Sequence, residues 1–160
     1  MQTGDTAAED GGGAGGTAGN LSSLSLIKDA SSSCSYLIRG LYKVARGWQE
    51  RGELNAARRI YKFILKIKER SQINCLEVVM SQANLALIYL KEEAYPEAEE
   101  FFKRALSACY ELLGEESEVF NTLLSDYAAL LRKMGLPEQA HYLEARNWSK
   151  PGGLPFLLSS

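Results

Sequence analysis

A chain of 160 residues with 46% hydrophobic and 24% charged side chains is long enough to enclose one core of its own, so one folded domain is expected. Its formal net charge of -2 and pI near 5.6 argue weakly against a general nucleic-acid binder, which is usually basic overall. No apolar run approaches the ~20 residues that a membrane span requires.

Residues 1–33 read as a Gly/Ala/Ser-rich tail and linker. The opening "MQTGDTAAEDGGGAGGTAGN" has too little apolar surface to offset the entropy of ordering it, and disorder is expected to about residue 20. Asp5, Glu9 and Asp10 stand there without an arginine or an apolar run, so neither a secretory nor an organellar leader is indicated. The expected location is therefore cytoplasmic. "GGGAGG" lacks the terminal Lys and hydroxyl residue of a phosphate-binding loop. For "SLSLIKDASSS" two readings stand, a short helix begun by Leu24, Leu26 and Ile27, or a continued linker.

Residues 34–149 are different in kind. From Tyr36 to Trp148 the only prolines are Pro96 and Pro137, and Leu, Ala, Lys, Glu and Arg recur at helical spacing, which predicts helices separated by short turns. Ala57, Ala98 and Ala140 stand 41 and 42 residues apart, and Gly52, Glu93 and Gly135 each precede one of them by five. A period of that length with two helices per unit predicts a helical solenoid, with repeats over about 36–71, 72–114 and 115–149. Ser71 and Asn74 are candidate caps for the helix carrying "LEVVMSQANLALIYL", Gly114 is a stop, and Pro137 suits a first helical turn. Pro151 ends the last helix. Beyond it, residues 150–160 carry Leu154, Phe156, Leu157 and Leu158, an apolar cluster expected to pack on the last helix pair or into a neighbouring molecule's groove.

Small and large residues alternate in each repeat. Repeat two sets Leu85, Ala86 and Tyr89 before Ala98, Phe102 and Ala105; repeat one has Val44, Ala45 and Trp48 before Ala57 and Tyr61; repeat three has Tyr127, Ala128 and Leu131 before Ala140. This pattern resembles the tetratricopeptide repeat, and the longer period is similar to its kinesin-light-chain type. Leu41, Gln82 and Leu124 stand where that family has Trp, and Glu144 stands at an aromatic position, as suits the polar outer face of a terminal unit. The resemblance implies an all-α solenoid of three antiparallel helix hairpins whose first helices line a concave groove.

Little in the sequence points to catalysis. His141 is the sole histidine and falls on the second helix of the last repeat, away from the expected groove. "KEEAYPEAEE" lacks the spacing of a calcium loop and reads as a solvated turn and helix start. Cys34, Cys75 and Cys109 are odd in number and far apart, which suits buried thiols in a reducing compartment more than disulfides or a metal site. No enzyme activity, cofactor or metal is expected.

Binding is the expected role. By resemblance, the groove is lined by Arg39, Tyr42, Lys43 and Arg46 in repeat one, by Met80, Asn84 and Leu87 in repeat two, and by Thr122, Ser125, Asp126 and Ala129 in repeat three. Asn84 matches an asparagine that grips peptide main chain in family members; the alternative is that it bonds a neighbouring helix. The family's carboxylate clamp needs Lys and Arg where this chain has Thr122 and Asp126, which disfavours a receptor for acidic chaperone tails. Lys43 and Arg46, with Tyr42 as an apolar wall, still suit an acidic peptide.

Charge is sorted along the chain. Residues 39–70 hold ten basic and three acidic side chains, a balance of +7, and residues 77–118 reverse this to -7. Solvated faces are one explanation; steering of an acidic partner, or of a second copy head to tail, is the other. The expected function is an adaptor holding a partner's peptide or helix, with two alternatives: a subunit joined to a complex through convex or end surfaces, and RNA contact through the basic first repeat.

Overall fold

The structure, a computed structural model, describes residues 18–145, with side chains from residue 32 onward. The expectations for residues 1–17 and for the apolar cluster at 150–160 lie outside the described residues. Six helices follow in chain order: α1 (Ala18–Glu50), α2 (Leu54–Ser71), α3 (Leu76–Lys91), α4 (Tyr95–Leu113), α5 (Glu118–Lys133) and α6 (Pro137–Ala145). Each packs on the next through a short turn, and α1 also reaches α3, so the chain is an all-α solenoid of three antiparallel hairpins.

The three hairpin turns are built alike. Gly52, Glu93 and Gly135 all take positive φ, at 83°, 60° and 78°. Immediately after them, the N–H groups of Glu53, Ala94 and Leu136 donate to the carbonyls of Trp48, Tyr89 and Leu131 at 2.9–3.0 Å. This left-handed closure satisfies carbonyls that a helix end would otherwise leave unpaired. Glycine adopts the conformation freely, whereas a residue with a Cβ pays about 1–2 kcal/mol for it. Glu93→Gly is thus expected to stabilise the fold by about 0.5–1 kcal/mol after the added freedom of the unfolded chain is subtracted. A thermal melt should show Tm about 2 °C higher; a lower Tm would contradict this reading of the turn.

Other helix ends differ in detail from expectation. Pro137 opens α6, Gly114 closes α4 at φ 79°, and Ser117 caps α5 by accepting from the Phe120 N–H at 3.2 Å. Ser71 and Asn74 do not cap α3. Helix α2 runs on through Ser71, whose hydroxyl donates back to the Ile67 carbonyl at 2.8 Å, and Gln72 closes it at φ 55°. The residue before α3 is Cys75, extended and without a side-chain cap bond.

The first helix also begins earlier than a boundary at residue 33/34 implies. Its backbone is helical from Ala18, continuous with repeat one. No Gly or Pro falls between Asn20 and Arg39 to interrupt it, and Leu21, Leu24 and Ile27 recur at helical spacing.

The core lies along the hairpin crossings. Ala57, Ala98 and Ala140 have no exposure at all, and neither do Ala45, Ala86 and Ala128 on the facing first helices. Small residues there allow backbones to approach while Tyr61, Phe102 and Tyr127 fill the space between repeats. Glu144 is exposed and pairs with Arg132, so on α6 a charged side chain stands at the position that Tyr61 and Phe102 fill in the other two repeats.

Candidate binding groove

One face of α1 turns toward α3. Arg39, Tyr42, Lys43, Arg46 and Glu50 recur three or four residues apart, which aligns them on a single helical face. Opposite them α3 presents Leu76, Glu77 and Met80, and Val119 at the start of α5 closes one end. Together they enclose a groove of about 620 Å³. A contiguous recess of about 340 Å³ shares Tyr42, Arg46, Glu50 and Met80 and adds Gln49, Asn84 and Lys91.

The rim is basic but partly self-neutralised. Arg39 Nε donates to Glu77 Oε1 at 3.0 Å, and Arg46 Nε donates to Glu50 Oε1 at 3.0 Å. Burial acts to raise the Glu77 pKa, but its own backbone N–H, the Arg39 guanidinium and the Cys75 thiol outweigh that and hold it below the usual carboxylate range. Lys43 is exposed and makes no ion pair among the described residues.

Beneath the rim runs a chain of hydrogen bonds. Tyr61 OH donates to Gln49 Oε1 at 2.9 Å, Gln49 Nε2 donates to Asn84 Oδ1 at 3.3 Å, and Asn84 Nδ2 reaches Tyr42 OH at 3.5 Å. Burial pushes the Tyr61 phenol well up, so it stays a neutral donor at physiological pH. Asn84 is itself buried, and its amide is turned to α1.

The expected residues therefore divide. Arg39, Tyr42, Lys43, Arg46 and Met80 line the groove, and Asn84 lines the adjoining recess. Leu87 packs partly buried against the core of repeats two and three. Thr122 is exposed and bonds back to the Glu118 carbonyl at 2.9 Å in its own helix, and Ser125 and Ala129 are exposed; none of the three lines the groove between α1 and α3. Asp126 is half-buried, and burial raises its pKa. Repeat three contributes Val119 instead. Glu50, Gln49 and Glu77 were missed, although the four-residue step from Arg46 to Glu50 signals an ion pair on one face.

Charge sorting between repeats is used inside the chain. Arg39–Glu77 and Arg58–Glu92 each join basic repeat one to acidic repeat two. No helix among the described residues is long and apolar enough to cross a membrane, and none of them assembles three or more His, Cys, Asp or Glu into a metal-holding group. The three cysteines are unpaired, with Cys109 buried and Cys34 and Cys75 half-buried. His141 is exposed on α6.

Hairpin pairing, repeated left-handed closures and a groove on the first-helix face define a TPR-like helical-repeat fold. The crystal structure of BtubC (BKLC) from P. vanneervenii, a kinesin-light-chain-like protein, is similar to it at TM-score 0.64 and 19% identity, over 86% of this chain and 59% of that one. At this identity the likeness shows the fold, and the chain spans about three-fifths of that structure's length. No protein-family model and no curated protein sequence matches the chain.

Proposed function

We propose that this chain is a non-catalytic adaptor that holds a short acidic peptide or helix in the groove between α1 and α3. One observation carries the reading: Arg39, Lys43 and Arg46 stand in one row above an apolar floor of Tyr42 and Met80. Exposed ion pairs such as Arg46–Glu50 contribute about 0–1 kcal/mol, so a ligand carboxylate exchanges with Glu50 at little cost. Tyr42 and Met80 then supply the apolar contact that holds the segment. Three repeats accommodate only a short one. A reducing, cytoplasmic setting suits the three unpaired thiols.

Fluorescence polarisation with an acidic amphipathic peptide, and with its Asn/Gln counterpart, tests the reading. The acidic peptide should bind at least about tenfold tighter, equivalent to ~1.4 kcal/mol. That preference should shrink as the screening length falls from ~8 Å at physiological ionic strength to ~3 Å at 1 M. Lys43→Glu with Arg46→Glu should abolish it. Equal binding of both peptides, or binding unchanged in the double variant, would overturn the proposal. RNA contact has less support, because Arg39 and Arg58 are engaged by Glu77 and Glu92.

A further inference from the structure

A second recess, of about 370 Å³, lies between α2 and α4 and shares no residue with the groove. Gln82 lines it from α3. This side chain is 7% exposed, and its Oε1 has no hydrogen-bond donor among the described residues. One period later the same position is Leu124, packed in the core, and one period earlier it is Leu41. An apolar side chain thus serves the other two repeats. A buried acceptor left unpaired is destabilising, and beside this one stands a space about ten times the ~30 Å³ share of one water. The terminal torsion of glutamine is soft, so the amide can turn its oxygen to a donor in the recess. Charges at the rim favour a donor that is also a cation. Glu69 and Glu111 are exposed and make no ion pair among the described residues. Arg104 is held by Glu100 one turn before it, and Lys68 is half-buried. Two cations therefore stand among three carboxylates, and the recess lacks one positive charge.

We infer that this recess takes the guanidinium of an arginine from a protein partner, as a docking point separate from the groove. Guanidinium carries the missing charge and five N–H donors in one plane, so it can reach Gln82 Oε1 and a rim carboxylate together. A lysine ammonium is a compact point charge and serves one of them at a time. Leu65 and Ala108, at most 9% exposed, offer apolar walls on which the methylene stem of an arginine packs. Lys68 opposes the ligand's charge, but Glu69 and Glu111 together outweigh it. Charge sorting along the chain acts in the same sense. The balance of -7 over residues 77–118 draws a basic segment toward repeat two, whereas the row of Arg39, Lys43 and Arg46 repels it from the groove. The two sites thus take segments of opposite charge.

The test is a titration of the isotopically labelled full chain with a short capped Gly/Ser peptide carrying one central arginine, beside counterparts with citrulline and with lysine in its place. The side-chain amide signals of Gln82 and Asn74 should shift, together with backbone signals of residues 65–69 and 104–111. The arginine peptide should bind at least tenfold tighter than the citrulline one, which keeps the shape and loses the charge, and several-fold tighter than the lysine one. Gln82→Leu gives the position the residue of the other two repeats; it should melt no earlier than the wild type and bind the arginine peptide at least tenfold more weakly. Should that variant melt early, Glu111→Gln, on an exposed side chain, should still weaken binding several-fold. The acidic peptide should bind Gln82→Leu as it binds the wild type, so the two sites stand or fall separately. A Gln82 amide signal unmoved at millimolar arginine peptide would assign the recess to water alone and overturn the inference. Equal binding of the citrulline or lysine counterpart, or affinity unchanged in both variants, would overturn it as well.

Discussion

Phe102→Ala is expected to be the most damaging single substitution in the fold, costing about 3–5 kcal/mol. Phe102 has no exposure, and its ring lies 6.0 Å from that of Tyr127, so it joins repeat two to repeat three. Truncation removes its transfer free energy and leaves a void that the flanking helices cannot close without moving. At ~2–4 °C per kcal/mol for a chain of this size, Tm should fall by about 6–20 °C. The neighbouring Phe101 is only partly buried and stacks on Tyr89, so Phe101→Ala should cost clearly less. Equal losses in the two variants, read by urea melts, would contradict this assignment of the core.

The second large effect is expected at Gln49→Leu. Gln49 accepts from Tyr61 OH and donates to Asn84 Oδ1, and both of those side chains are buried. Leucine supplies similar bulk but strands a phenol and an amide. Each buried polar group left unpaired costs about 1–3 kcal/mol. A total loss of about 2–4 kcal/mol is therefore expected. Tyr61→Phe in the Gln49→Leu background should recover part of that loss, because it removes the stranded hydroxyl. Strict additivity in the double-mutant cycle would show that the two residues are not coupled.

How far the sequence foretold this differs from residue to residue. Ala57, Ala98 and Ala140 were legible because a helix crossing admits little else, and that constraint returns with every repeat. Gly52 and Gly135 marked their turns for the same reason, and Glu93 was found by register alone. The sequence leaves the helical start of α1 open, because Ser-rich segments with scattered leucines fit a linker as well as a helix. Ser71 was misplaced because a hydroxyl that caps the next helix in one arrangement bonds back into its own helix in another; the residue type does not distinguish them. At the groove, Arg39, Tyr42, Lys43 and Arg46 followed from one face of one helix. Thr122, Ser125 and Asp126 are not among the residues lining the space between α1 and α3, to which α5 contributes Val119 of its first turn. Helix placement of that kind depends on how three hairpins stack, which no local pattern encodes.

The groove itself is tested most directly by titrating the acidic amphipathic peptide into isotopically labelled protein and following amide signals by nuclear magnetic resonance. Expected shifts are confined to the backbone from Arg39 to Glu50 and from Glu77 to Asn84, with the Gln49 and Asn84 side-chain amides moving as the ligand competes for their bonds. Signals of α4 and α6 should stay in place. Shifts centred on α2 or α4 instead, or a spectrum that does not change at saturating peptide, would contradict a ligand groove between α1 and α3.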